Sequence, residues 1–458
     1  MEIVTLETPE IGDRSYIVTD GHQALVIDPQ RDIDRFVAAA SVRGVRIAHV
    51  VETHIHNDYL SGGLALARLT GARYGVCRDE AVAFAAERDP LADGDRFRVG
   101  ELTVRVVATP GHTPNHLSYV VSHRGASSGD QQALFSGGSL LYGGAGRTDL
   151  AGPGLTSVMA GAQWTSIRHL AAILPLEATV HPTHGFGSFC SVGTASIPAT
   201  APAPTMRHER AGNPALVLAQ EDFIRDLLAR LVPYPRYYGH MAPINRIGAA
   251  AAQLDRSRPA TLDALLARAR RGEWVVDVRD RRAFAGHHLE GTINVELGNQ
   301  LATYLGWVFP WGSPLSLMAA SDEDLAAARR HVSRIGLEDV VGEATASQED
   351  LMRCADTRSY PVAGFSDLSA RSRADEDLLV LDVRHQHEWD AGHLAGAMHI
   401  AVPDLEGAIG SLPQDRPVWV HCAAGYRAAL ACSLLDRRGF DVTLIDDRWE
   451  QSRSASAA

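Results

Sequence analysis

Two stretches of this chain repeat one another. Residues 274–295 read WVVDVRDRRAFAGHHLEGTINV and residues 379–400 read LVLDVRHQHEWDAGHLAGAMHI. At a constant offset Asp277 matches Asp382, Arg279 matches Arg384, Phe284 matches Trp389, His288 matches His393 and Gly291 matches Gly396. Each copy opens on an apolar run too short for a helix, the pattern of a strand buried on both faces, and such strands belong to parallel sheets covered by helices. A duplicated α/β unit therefore occupies the second half of the chain, over about 258–345 and 360–452.

A chain of 458 residues exceeds a single ordinary core, and its length alone predicts roughly three domains. The region before the repeat, 1–245, supplies the third. There, β-branched runs (ALVIDP, IAHVVETH, LTVRVVATPGHT) alternate with Ala-rich helical stretches (RFVAAASVRG, GLALARLTG), again an α/β layered pattern. The first twenty residues alternate as two opening strands and lack the basic and apolar regions of a signal peptide. Residues 195–215 read as an extended excursion and 216–231 as a helix. The aromatic cluster YPRYYGH, 234–240, is expected to pack in a core or domain interface. The Ser/Ala tail, 451–458, is expected to be disordered.

The formal charge of −12 argues against binding a phosphate backbone, which needs clustered Lys and Arg. Without a run of 18 apolar residues, no membrane span is expected. Five scattered cysteines, Cys77, Cys190, Cys354, Cys422 and Cys432, without CxxC spacing, fit a reducing compartment, so the expectation is a cytoplasmic protein. A homo-oligomer is compatible with these features.

One of the thiols is singled out by VWVHCAAGYRAALACSLLDRRGF, 418–440. The strand Val418–Val420 delivers Cys422 to a short loop, and a helix begins near Arg427. A thiol at such a turn faces backbone N–H groups and the positive end of a helix dipole, which suit an anionic sulfur. Gly425 permits the tight curve and Arg427 adds a fixed cation. Ala423, Ala424, Gly425 and Tyr426 lie between Cys422 and Arg427, forming a six-residue cradle sized for sulfur rather than phosphate. Cys432 falls within the apolar helical pattern and reads as core.

Histidines mark the other end of the chain. VETHIHNDYLSGG, 51–63, places His54, His56 and Asp58 at a strand end, where an extended backbone would point His54 and His56 to one side. VVATPGHTPNHLSYVV brings His112 out of a second strand, and TVHPTHGFG offers His181 and His184 after a third. Histidines on loops that follow strands in one α/β region suit one or two first-row metal ions.

With these residues in view, DVRHQHEWDAGHLAGAMHI followed by HCAAGYR resembles the rhodanese family of sulfurtransferases. The resemblance implies that Cys422 takes up a sulfane sulfur and passes it on, with Arg427 and the loop amides steadying the anion. In the first repeat, SPLSLMAASDEDLAAARR aligns Ala319 with Cys422 and Asp324 with Arg427, so 258–345 is read as a noncatalytic rhodanese-like unit. Residues 1–245 resemble the metallo-β-lactamase fold, an αββα sandwich. GRTDL (146–150), HPTHG and HERAGNP (208–214) are closest to persulfide dioxygenases, and fusions of this order occur in bacterial sulfur metabolism.

Two departures from that family narrow the site. Tyr59 stands where two-metal members carry a histidine, and Gly138, in FSGGSLLYGGAGRTDL, stands where a ligand aspartate is usual. A second metal would keep only Asp58 and His184. The expectation is one Fe(II) or Zn(II) ion held by His54, His56 and His112. Arg147 and Arg210 are candidate anion-binding groups for a glutathione-type persulfide. The leading expectation is thus a sulfur-handling enzyme acting on small persulfides or thiosulfate-like donors and thiol acceptors. The alternatives are a metal-dependent thioester hydrolase and a noncatalytic metal domain serving as scaffold for one active rhodanese.

Overall fold

Most strands of the first 185 residues sort into two large sheets because their alternation has two apolar faces, while Leu140–Leu141 and Gly144–Gly146 join Ser191–Val192 in a small third one. The computed structural model describes residues 1–123, 132–185, 187–193, 198, 200–255, 258–374 and 378–452. The terminal tail assigned to disorder lies from 453 onward outside them. The chain forms two compact units, Met1–Gln253 with Arg334–Gly336, and Leu254–Ser333 with the residues from Leu337 onward.

In the first unit a six-stranded sheet runs in the order Glu2–Thr8, Asp13–Thr19, Gln23–Ile27, Arg46–Val51, Arg73–Cys77, Asp89–Leu91. Its first three strands pair antiparallel and the rest parallel. A five-stranded sheet runs Thr179–Pro182, Gln132–Gly137, Leu117–His123, Leu102–Ala108, Arg96–Val99. Side chains two apart share a face. Tyr16, Val18, Leu25 and Ile27 join Val104, Tyr119 and Phe135 in a core between the sheets. Ile17, Ala24 and Val26 face the other way, into a second core with Phe36, Leu64 and Leu66 from the helices Asp34–Val42 and Gly63–Thr70. A third core packs Val120 and Leu134 against Ile167 and Leu170 of the helix Thr156–Ile173. Three cores between four layers make the αββα sandwich, and the strands Arg46–Val51, Leu102–Ala108, Gln132–Gly137 and Thr179–Pro182 end just before His54, His112, Gly138 and His184.

The stretch expected to be extended is in part helical. Met206–Gly212 and Pro214–Val217 are short helices, started by a capping box at Thr205 and by the Asn213 side chain. The helix expected over 216–231 runs Gln220–Ala229.

The second unit holds two parallel sheets with one strand order. The first runs Ile293–Asn294, Trp274–Asp277, Leu315–Ala319, Val340–Thr345. The second runs Met398–His399, Leu379–Asp382, Val418–His421, Val442–Ile445, with Val362–Ala363 added at the edge. Trp274 pairs with Leu315 as Leu379 pairs with Val418, so the sheet register sets Ala319 opposite the place of Cys422. Among the described residues no helix is long and apolar enough to cross a membrane.

Candidate metal centre and thiol loop

Three imidazoles at the ends of three strands turn their Nε2 atoms toward one another. The His112 Nδ1–H donates to the Arg147 carbonyl at 2.8 Å, which leaves a buried Nε2 without a partner. The His54 Nδ1 pairs with the Thr53 hydroxyl at 2.9 Å, which in turn donates to Asp28 at 2.7 Å. The His184 Nδ1 lies 2.8 Å from Asp13 and 3.2 Å from Asp58, and its Nε2 is 3.3 Å from the His54 Nε2. Ligand atoms of His54, His112 and His184 all fall within 4.8 Å of one another. Burial and the neighbouring histidines push the His54 and His112 imidazoles well below their ordinary range, so both present lone pairs. Burial also disfavours the charged His184, but Asp58 and Asp13 outweigh it and raise this imidazole; a cation here would displace that proton. Converging imidazoles, each fixed through its other nitrogen by a carbonyl, hydroxyl or carboxylate, fit a divalent first-row metal.

His56 takes a different place from the one expected. Residues 52–60 bend after the strand, so the two-residue alternation does not carry past Val51. Its Nε2 points at Tyr59 Oη (2.9 Å), Asp28 (3.3 Å) and Glu52 (3.4 Å). Its Nδ1 has no partner and lies 3.9 Å from Asp58 Oδ1. Among the described residues it groups with Asp58 and His184 and with Asp28 and Glu52, not with the His54–His112 pair. Burial opposes its charge, yet Asp28 and Glu52 raise it to about 9, while burial lifts Glu52 to about 7. Tyr59 stacks on the face of the His56 ring at 4.3 Å and its hydroxyl reaches Nε2.

Gly138 packs against the centre. A Cβ there would overlap the His112 ring, coming within 2.7 Å of Nε2. An aspartate at this position would therefore enter only if His112 moved.

Several residues of the centre escaped the sequence reading. Asp28, the described non-glycine residue with positive φ (52°), accepts from Thr53 N at 2.6 Å and from the Thr183 hydroxyl, joining three loops. The signal was the polar end of ALVIDP. His116 stacks on His54 at 5.0 Å and its Nε2 accepts from Gly138 N at 3.0 Å. Asn245 donates to the carbonyls of His56 and Tyr59, both at 2.9 Å, and accepts from Ser61 N. The aromatic cluster also braces this loop, since Tyr237 donates to the Asp58 carbonyl at 2.9 Å.

The two arginines expected at a substrate anion are placed otherwise. The buried Arg147 binds Asp149 through Nε (2.7 Å) and Nη2 (2.8 Å), donates to the carbonyls of Phe189 and Val232, and lies 4.4 Å over the Tyr234 ring. Its guanidinium is spent on holding these loops together. Arg210 is exposed on its helix and donates to the Ala171 carbonyl.

In the second unit, Cys422 follows the strand Val418–His421 and is 2% exposed. Gly425, with φ of +85°, caps the helix Tyr426–Asp436, and a Cβ there would overlap Asp446. Ala424 is exposed and the Ala423 carbonyl accepts from Trp449 N. The Tyr426 hydroxyl donates to the Glu296 carbonyl at 2.8 Å. Arg427 is not a lone cation, because Nη1 and Nη2 both reach Glu388, the latter at 2.8 Å. Burial alone would raise the Glu388 carboxyl, but Arg427 pulls it down to about 2.

With this geometry on hand, comparison with known proteins matches part of each unit. Residues 14–184 match the metallo-beta-lactamase superfamily and residues 365–454 match the rhodanese-like domain. The chain belongs to the metallo-β-lactamase superfamily through its first half and carries a C-terminal rhodanese-like domain. It is 28% identical to the mitochondrial persulfide dioxygenase ETHE1 of Homo sapiens over 238 residues, 51% of this chain and 81% of the relative. To the hydroxyacylglutathione hydrolase of Rhizobium johnstonii it is 33% identical over 177 residues, 37% of this chain and 63% of the relative. A crystal structure of a metallo-beta-lactamase from Staphylococcus aureus covers 76% of this chain and 99% of its own, with a TM-score of 0.66 and 26% identity.

Proposed function

We propose that the protein is a sulfur-metabolism enzyme in which a metal domain acts on low-molecular-weight persulfides and Cys422 carries sulfane sulfur. The observation that supports it best is the joining, in one chain, of three inward-facing imidazole Nε2 atoms and a Cys422–Arg427 loop on a rhodanese-like domain. His54, His112 and His184 would hold one Fe(II) or Zn(II) ion, with Asp58 and the His56 Nδ1 beside them. Bound iron would supply redox chemistry toward dioxygen, and zinc a Lewis acid. The residues around it do the positioning: Thr53, Asp13 and the Arg147 carbonyl fix the three rings, and Asn245 and Tyr237 hold the His56–Tyr59 loop. Segment 258–345 is a rhodanese-like unit without its thiol, and 360–452 is the transferring unit. One chain carrying both activities raises the effective concentration of a reactive persulfide at the second.

Thioester hydrolysis is the second reading, favoured by the 33% identity to a hydroxyacylglutathione hydrolase over 177 residues. One experiment separates the two. Full-length protein purified with its metal is expected to consume oxygen with glutathione persulfide, and His112→Ala is expected to lose both the metal and the consumption. Hydrolysis of S-lactoylglutathione without oxygen uptake would favour the hydrolase. Metal content far below one ion per chain would overturn both.

A further inference from the structure

The thiol loop is held in part by the segment that lacks a thiol. Arg281 Nε lies 2.8 Å from Asp446, which sits under Gly425, and Arg282 reaches the same carboxylate. The Glu296 carbonyl takes the Tyr426 hydroxyl. From the same segment comes the helix Leu301–Val308, LATYLGWV, buried along its whole length although it carries a phenol and an indole. Its Tyr304 ring centre is 5.6 Å from that of Tyr426 and 6.5 Å from that of His385, the residue that opens the short helix bearing Glu388.

Two tyrosines thus lie side by side at the cradle, and their hydroxyls differ. That of Tyr426 is committed to a carbonyl. That of Tyr304 makes no hydrogen bond among the described contacts, and it sits within electrostatic reach of Arg427, Cys422 and Glu388. Burial pushes this phenol up to about 12, so it keeps its proton and remains a donor. The cation expected to face the bound anion is answered by Glu388 in a two-bond pair. Beside the Cys422 loop there is thus a guanidinium paired with Glu388 and one phenolic donor.

We propose that Tyr304 is a substrate-binding residue of the Cys422 site, donating its hydroxyl proton as a hydrogen bond to an oxyanion oxygen of the sulfur donor, and that it thereby selects donors of the thiosulfate class. The inference rests on Cys422 being the sulfur carrier. In the step it serves, the Cys422 thiolate forms a bond to the outer sulfur of thiosulfate. The bond between that sulfur and the sulfonate sulfur breaks, its electron pair leaves with sulfite, and the cysteine becomes a persulfide anion. Cyanide then takes the outer sulfur as thiocyanate and the thiolate returns. Negative charge grows on the sulfonate oxygens as sulfite departs, and a hydrogen bond that strengthens there lowers the barrier of the first half-reaction only.

Steady-state transfer by the full chain, with thiosulfate and cyanide varied separately, tests this for wild type, Tyr304→Phe and Cys422→Ser. Tyr304→Phe is expected to lower kcat/KM for thiosulfate by about tenfold or more, the worth of a hydrogen bond to a charged group, and to leave kcat/KM for cyanide unchanged. With glutathione persulfide, which has no sulfonate oxygen on the sulfur chain, the loss is expected to be much smaller. A change of less than about twofold with thiosulfate, or an equal loss with both donors, would overturn the assignment of Tyr304. Transfer retained by Cys422→Ser would instead overturn the assignment of the carrier thiol.

Discussion

The two halves of the second unit are built on one plan and differ at the loop that holds Cys422 in one of them. Asp277 and Arg279 pair through Nε at 3.0 Å and Nη2 at 2.6 Å, and Asp382 and Arg384 pair at the same distances. Each arginine then reaches a carbonyl at the matching place, His287 in one half and Gly392 in the other. The divergence comes after the central strand. In the first half, Ser321 caps the helix Asp322–Arg334 by accepting from Asp324 N, and Asp322, Glu323 and Asp324 fill its first turn. In the second, Gly425 caps the helix Tyr426–Asp436 without a side chain, and its first turn carries no acid. A helix N-terminus favours negative charge. One half meets that demand with its own carboxylates, and the other leaves it open beside Cys422.

The sharpest way to break this contrast is to move the thiol. Cys422→Ser is expected to abolish thiosulfate:cyanide transfer and the gain of one sulfur atom in mass after exposure to donor. Ala319→Cys, in a chain that also lacks Cys422, is expected to restore neither, because the new sulfur would face three carboxylates. Transfer by the relocated cysteine would show that any strand-end thiol in this scaffold suffices.

A smaller effect is expected at the turn itself. Gly425 has φ of +85° and lies against Asp446, so Gly425→Ala combines an unfavourable left-handed backbone, about 1 kcal/mol, with an overlap. The expected outcome is a lower melting temperature together with a large loss of transfer. Gly272, in the turn before the strand Trp274–Asp277, has φ of +83° with only Arg437 near at 3.8 Å, so Gly272→Ala is expected to cost stability while sparing transfer. Equal losses of transfer in the two variants would argue that the loop's curvature has no special role.

The repeat, the thiol loop and the histidines were legible because each is a short run in which the signal and the site coincide. What the sequence did not disclose lies in long-range placement. The His56 ring lies 4.1 Å from that of His54, yet it is His184 whose ligand atom groups with those of His54 and His112. The direction of a side chain in a bent loop depends on what it touches, for His56 Tyr59, Asp28 and Glu52. Asp28 and Thr183, far apart in the chain, meet only in the folded sandwich. Arg147 and Arg427 read as cations for an anion, whereas in the fold Asp149 and Glu388 sit on them. Tyr304 carried no motif at all; it reaches the cradle only because two repeats pack as one unit.

The last test concerns the Glu388–Arg427 pair, which the first half lacks: Ala283 stands at the position of Glu388 and Asp324 at that of Arg427. Arg427 holds the Glu388 carboxyl at about 2, below the ordinary carboxylate value of about 4.3. For a carboxyl depressed by folding, the stabilisation is complete above the unfolded value and is lost as pH falls through the folded one. Wild type is therefore expected to melt above Glu388→Gln near neutral pH, with the gap closing between roughly pH 4.5 and pH 2 as the unfolded and then the folded carboxyl takes its proton. A gap independent of pH over that range would mean that the two groups stabilise the loop by shape alone. The pair would then have no part in setting the charge that an incoming sulfur anion meets.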